Sequence, residues 1–207
     1  MEYRTPQDIE STSMKIIDAE AGAHSFSAEE WTIVRRIIHA TADFEVMHSI
    51  RFHPNAIAAG VAAIKKGCPI YTDTEMLAVA ITKNMQKRFG CSVLCHVSDP
   101  AVKRESDSTG ITRSALAVRK AAAALTHGII AVGNAPTALT EVLKLSTERM
   151  ITPDLIIGMP IGFVGAAESK EVLFSSGLVY ITMLGRKGGT PATVAAINAL
   201  MKIAGDA

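Results

Sequence analysis

Residues 155–170 constrain the fold of this chain more than any other stretch. Leu155-Ile156-Ile157 is an apolar run that stops abruptly at Gly158. A loop follows that carries Pro160 and two further glycines, Gly162 and Gly165. Helix-forming residues resume at Ala166 and continue through Glu168 and Lys170. That order reads as strand, tight loop, helix. Glycine reaches backbone angles that other residues avoid and lets a ligand approach the main chain closely. Amides left unpaired at a helix start attract anions. The stretch is therefore expected to form one wall of a site for something negatively charged.

The same order recurs along the chain. Strands are expected at Pro69-Ile70-Tyr71, Ser92–Val97, Ile129–Val132, Leu155–Ile157 and Leu178–Met183. Four of them end in polar or glycine-rich loops: Thr72-Asp73, Gly133-Asn134, Gly158–Gly165 and Gly185–Gly189. Five short apolar strands alternating with helices are the pattern of an α/β protein, a parallel sheet with helices on both faces. Ligands of such sheets sit beyond the carboxyl ends of the strands, which is where these loops fall.

A chain of 207 residues with nothing resembling a linker reads as one domain over 1–207. Hydrophobic residues at 48% and charged ones at 20% fit a packed α/β interior. No apolar run approaches the ~20 residues of a membrane span. The net charge of +1 gives no reason to expect nucleic acid. Met1–Pro6 lacks the basic-then-apolar order of a secretory signal, so a cytoplasmic protein is expected. Cys68, Cys91 and Cys95 are an odd set that reads as reduced thiols. Cys91 and Cys95 have His96 and Asp99 nearby, but their spacing is not that of a metal knuckle, and buried thiols are the expectation.

Helix signals place the candidate actors. Thr5-Pro6-Gln7-Asp8 starts a helix that carries Ser13, which locally reads as a tolerated surface serine. Ser27 and Glu30 form a capping box, and Phe26 with Trp31 a hydrophobic staple. The helix they start ends near His39. Arg36 and Asp43 lie three before and four after it, so all three can share a face, and the Asp43 carboxylate would hold the imidazole charged and oriented. Otherwise His39 merely complements the helix dipole. Phe44–Phe52 is ambiguous, with a short strand as one reading, and the next helix starts at His53-Pro54. The helix capped at Thr72–Glu75 carries Thr82 and Lys83 towards its end, and Ser98–Gly110 reads as a charged loop. Ile111-Thr112-Arg113-Ser114 opens an Ala-rich helix running to His127 and ended by Gly128. Arg113 in its first turn opposes the helix dipole, and pairing with a ligand carboxylate is one reason to keep it there; an ordinary exposed arginine is the other reading.

Familiar chemistry is missing. There is no Gly-x-x-x-x-Gly-Lys phosphate loop and no Gly-x-Ser-x-Gly elbow. No pair of histidines has zinc-helix spacing. Gly162-Phe163-Val164-Gly165 resembles the end of a dinucleotide fingerprint, but Pro160 replaces its first glycine and the segment comes late in the chain. The residues alone point to an α/β protein binding an anionic small molecule, with His39, Arg36 and Arg113 as candidate actors.

Gly133–Leu139, Gly158–Lys170 and Gly185–Gly189 resemble the motifs of the precorrin-8X methylmutases, also called cobalt-precorrin-8 methylmutases. Ile38-His39-Ala40, Pro69–Asp73 with Glu75-Met76, and Thr109–Ser114 match as well, in the right order over nearly the whole chain. The resemblance implies a flavodoxin-like, doubly wound, mainly parallel five-stranded sheet. It implies an isomerase of vitamin B12 synthesis that moves a methyl group from carbon 11 to carbon 12 of precorrin-8X or cobalt-precorrin-8. The product would be hydrogenobyrinate or its cobalt form. It implies no cofactor and no metal held by the protein, a tetrapyrrole substrate with many carboxylates, and a homodimer with its site near the subunit interface. It puts the catalytic histidine on His39 and substrate contacts on Ser13, Arg36, Thr82 and Arg113. Such a substrate suits guanidinium groups and backbone amides. The alternatives are a non-enzymatic corrinoid-binding protein on the same fold, which would bind the product tightly without converting substrate, and a flavin-binding protein, which would purify yellow.

Overall fold

The computed structural model describes residues 5–206. Met1–Arg4, on which the reading of the N-terminus mostly rests, lie outside them. Eleven α-helices and six strands follow in order among the described residues: α1 (Pro6–Ala21), α2 (Ala28–Thr41), α3 (Val46–Ser49), β1 (Ile50–Phe52), α4 (Ala56–Lys65), β2 (Ile70–Thr72), α5 (Glu75–Ala80), α6 (Lys83–Phe89), β3 (Val93–Leu94), α7 (Pro100–Thr109), α8 (Arg113–Ala121), β4 (Ile129–Val132), α9 (Pro136–Thr147), β5 (Leu155–Gly158), α10 (Ala166–Ser175), β6 (Tyr180–Met183) and α11 (Thr190–Asp206).

They form one mixed sheet in the order β1-β6-β5-β4-β2-β3. The expectation of five strands is corrected to six: β1 joins the edge, antiparallel to β6, with Ile50 opposite Met183 and Phe52 opposite Ile181. It comes from the ambiguous 44–52 stretch, whose first half is helix α3. The other five strands are parallel throughout. Strand alternation divides the interior into two layers. Ile129, Ala131, Leu155, Ile157 and Ile181 meet α2, α4 and α11 on one face. Ile130, Val132, Ile156 and Tyr180 meet α8, α9 and α10 on the other. These strands are buried on both faces, which is why they read as unbroken apolar runs.

Four further expectations change. Residues 98–110 are not a loop: α7 is capped by the Asp99 carboxylate on Ala101 N at 2.8 Å, has Pro100 in its first turn, and ends at Gly110 with φ 73°. The strand expected at Ser92–Val97 pairs only over Val93–Leu94, at the sheet edge. The helix expected to run from Thr72–Glu75 through Lys83 breaks at Ile81-Thr82 into α5 and α6, and its cap is Thr74. The Ala-rich helix stops at Ala121 and passes through a 3₁₀ turn at Ala122–Ala124. His127, at φ 70°, takes the left-handed position expected of Gly128.

Candidate active site

The carboxyl rim of the sheet is built from the loops after β2, β4, β5 and β6. Asp73 ties the first two together. It directly follows β2, is fully buried, and accepts the backbone N–H groups of Gly133, Asn134 and Ala135 at 2.9, 2.8 and 2.7 Å. Burial pushes its carboxyl up, against the pull of those amides. The other two loops are laced together by their backbones. Gly189 N donates to Met159 O at 2.8 Å and Gly162 N to Arg186 O at 3.2 Å. Gly188 sits at φ 154°, and a Cβ there would lie 2.3 Å from Met159 O, so only glycine fits. Beneath them Lys170, fully buried on α10, donates to Lys187 O at 2.6 Å. Burial alone lowers its pKa to about 8.

His39 lies in the last turn of α2, which the Ser27–Glu30 capping box starts as expected. Its imidazole is exposed. Ser13 of α1 joins it: both line one open depression of about 360 Å³, with Ile16, Ile17, Ile38 and Phe44 as its apolar floor. The Ser13 hydroxyl donates to Ile9 O at 2.8 Å, one turn back. Asp43 is not the partner expected for His39. Lys187 occupies it, Nζ to Oδ2 at 2.6 Å, and also reaches Glu45 at 2.8 Å. That bond holds the Asp43 carboxyl below its usual range. The chain turns left-handed at Ala42, φ 51°, which carries Asp43 away from the helical i+4 position. The bridge nevertheless fastens the turn after His39 to the β6 loop.

The remaining candidates are dispersed. Arg36 pairs with Glu10 at 2.8 Å and lines a separate depression of about 290 Å³ with Gln7, Arg35 and Lys202. Arg113 is exposed at the start of α8, where the Thr112 hydroxyl donates to that of Thr137 at 3.0 Å. It therefore stands on the rim, beside the helix that follows β4. Thr82 is exposed at the α5–α6 joint, which Asn198 of α11 fastens through Thr82 N at 3.0 Å and Ala80 O at 3.2 Å. Neither Thr82 nor Arg113 lines the His39 depression. Among the described residues no group of three or more His, Cys, Asp or Glu is set to hold a metal, and no helix is long and apolar enough to cross a membrane. Cys91 is buried, as expected, and so is Cys68, whereas Cys95, also expected to be buried, is half-buried beside the short edge strand β3.

The residues that sequence reasoning passed over are Asp73, Lys170 and Lys187. Asp73 was visible as a carboxylate at a strand end followed by a second, better cap. Lys170 stands four residues after Ala166 and three before Leu173, on the buried stripe of its helix.

The family profile described as precorrin-8X methylmutase matches residues 8–203. The chain belongs to the precorrin-8X methylmutase family. Cobalt-precorrin-8 methylmutase of Leptospira interrogans is 44% identical, with 94% of this chain and 92% of that one covered. The enzyme of the same name from Priestia megaterium is 42% identical, over 99% and 94% of the two chains. Precorrin-8X methylmutase of a Sinorhizobium species is 38% identical over 92% and 91%. The crystal structure of precorrin-8X methylmutase from Thermus thermophilus superposes with a TM-score of 0.90 at 40% identity, covering 97% of each chain. Membership makes this methylmutase-family chain an enzyme of the isomerase class.

Proposed function

We propose that this single domain, residues 1–207, moves the methyl group of precorrin-8X or cobalt-precorrin-8 from carbon 11 to carbon 12, giving hydrogenobyrinate or cobyrinate. The observation that carries the reading is the shared depression of Ser13 and His39 on a methylmutase-family chain. His39 acts as general acid. Protonating the ring draws electron density towards the migration terminus, the bond to carbon 11 breaks as that to carbon 12 forms, and the proton returns to the imidazole. The net composition is unchanged, so no cofactor is required. Help of this kind is worth ~10²–10⁴ in rate, and the remainder comes from holding the ring in a reactive geometry. Ser13, Arg36, Thr82 and Arg113 bind the substrate, the two guanidinium groups pairing with its carboxylates.

One protomer divides these five residues among four surface locations, and its histidine depression is shallow. That supports a homodimer in which a second copy completes the site. Phe163 and Val164, 83% and 89% exposed at the tip of the β5 loop, offer apolar surface for it. The parallel strands, taken alone, run β3-β2-β4-β5-β6, the 2-1-3-4-5 order that supports the flavodoxin-like reading. Relatives named for the cobalt and the metal-free substrate have similar identities, so either ring is compatible. The site of action in this reading is the cytoplasm.

The test is incubation with precorrin-8X and with cobalt-precorrin-8, following the absorbance change to the product corrin. Turnover of either is expected, and a wild-type chain inert to both overturns the reading. His39→Ala is expected to lose about 10²-fold or more in kcat while still binding product. A variant that turns over at the wild-type rate removes His39 as the acid.

A further inference from the structure

Lys170 is a fully buried ammonium with no carboxylate within ion-pair distance among the described residues. Its hydrogen bond goes to the carbonyl of Lys187, in an exposed loop. A buried unpaired charge is costly, and anchoring one surface carbonyl is a poor reason to bear that cost. The consequence for the loop is more informative. The Arg186 carbonyl accepts from Gly162 N of the neighbouring β5 loop, and the Lys187 carbonyl from the buried Lys170 Nζ. Every peptide bond described is trans. In a trans peptide the N–H points opposite to the C=O. The N–H groups of Lys187 and Gly188 are thereby turned away from Gly162 and from Lys170, and neither has a hydrogen-bond partner among the described residues. Two successive amides without a protein partner, in an exposed loop, are free donors for an anion. α11 begins immediately after them at Thr190, its positive end towards the loop. The Lys187 side chain, reaching Asp43 and Glu45, fixes the loop's edge against the turn that follows His39.

We infer that the Lys187 and Gly188 amides form a subsite for one carboxylate of the tetrapyrrole, and that Lys170 is the positioning residue that aims them from below. Lys170 does not touch the ligand. It holds the Lys187 carbonyl inward and adds uncompensated positive charge behind the two amides. Gly188 is indispensable to the device, since a side chain there collides with Met159 O. The inference rests on the proposed function, because it takes its ligand from that reading.

Labelling lysine with ¹³C at the carbonyl and glycine with ¹⁵N isolates the Lys-Gly peptides. The sequence has two, Lys66-Gly67 and Lys187-Gly188. Gly67 N already donates to Ile64 O at 2.9 Å and serves as an internal control. Titrating the wild-type chain with the product corrin, with binding followed by absorbance, should move the Gly188 amide signal downfield and leave Gly67 in place. Lys170→Met should abolish that movement and weaken product binding about tenfold, the loss of one hydrogen bond to a charged group. Lys170→Gln, which still donates to the Lys187 carbonyl but lacks the charge, should keep a smaller Gly188 shift. Product that binds while Gly188 stays still overturns the inference and leaves the function standing. A Lys170→Met chain that binds product with wild-type affinity does the same. Product that does not bind at all overturns both.

Discussion

Lys170 is a charge held where charge is unfavourable, and that has a consequence for stability. Burial lowers its pKa from the ordinary lysine value to about 8. The unfolded chain keeps this proton to about pH 10.4. Between those limits the unfolded state binds more protons than the folded one, so stability rises with pH. The destabilising influence of the buried ammonium is full below pH 8 and gone above pH 10.4. Denaturant unfolding at pH 7.5 and pH 10 should show the wild type gaining about 2 kcal/mol relative to Lys170→Met. Equal pH dependence in the two proteins would mean that Lys170 titrates normally. At this scale the sequence revealed residue types better than partners. His39 and Ser13 meet in one depression, but Asp43 beside His39 in sequence belongs to Lys187 in space. A helix-spacing argument assumes that the helix continues, and this one ends at Thr41.

Elements were legible wherever apolar periodicity was strong. The strands of the parallel sheet and the capping box of α2 follow directly from pattern. α7 escaped because only Val102 of its ten residues is buried, so it carries almost no apolar stripe. Its signals were at its ends, in Asp99-Pro100 and Gly110. β1 escaped for a different reason: a three-residue strand has no periodicity of its own and exists because β6 offers an edge. α7 is thus a helix held by its cap and by one small cluster of Val102, Leu116 and Ala117 with Val97 and Ile111. Asp99 both caps α7 and pairs with Lys120 of α8. Asp99→Ala should lower the melting temperature by about 3 °C. Hydrogen exchange should quicken over 100–109 while the β4 and β5 amides stay protected. Uniform loss of protection across the molecule would instead make α7 part of the global folding unit.

The whole molecule joins two bodies of structure that sequence order keeps apart. One is the α1–α2 pair with Ser13 and His39. The other is the carboxyl rim, with its glycine loops and Lys170. α11 unites them through the core, since it starts at the rim and packs along α2. At the surface they meet where Lys187 bridges to Asp43 and Glu45. An exposed bridge of this kind adds little to folding; under the proposed function its value lies in setting the distance between the histidine-bearing helix and the proposed amide subsite. Replacing Lys187 by Met should leave the melting temperature within a few degrees of wild type. It should lower kcat/KM about tenfold, as small misplacements of reacting groups do. Under the proposed function the loss should be felt more in kcat than in KM, because the groups proposed to bind the ring, the Gly188 amide and the arginines, are kept while His39 no longer stands at a fixed reach from it. Charge reversal of the tie supplies the complementary arm: Lys187→Glu with Asp43→Lys and Glu45→Lys restores attraction between the same two segments and should recover part of the lost kcat. A double-segment reversal no better than Lys187→Met would show that Lys187 serves through its own contact with substrate and not as the tie.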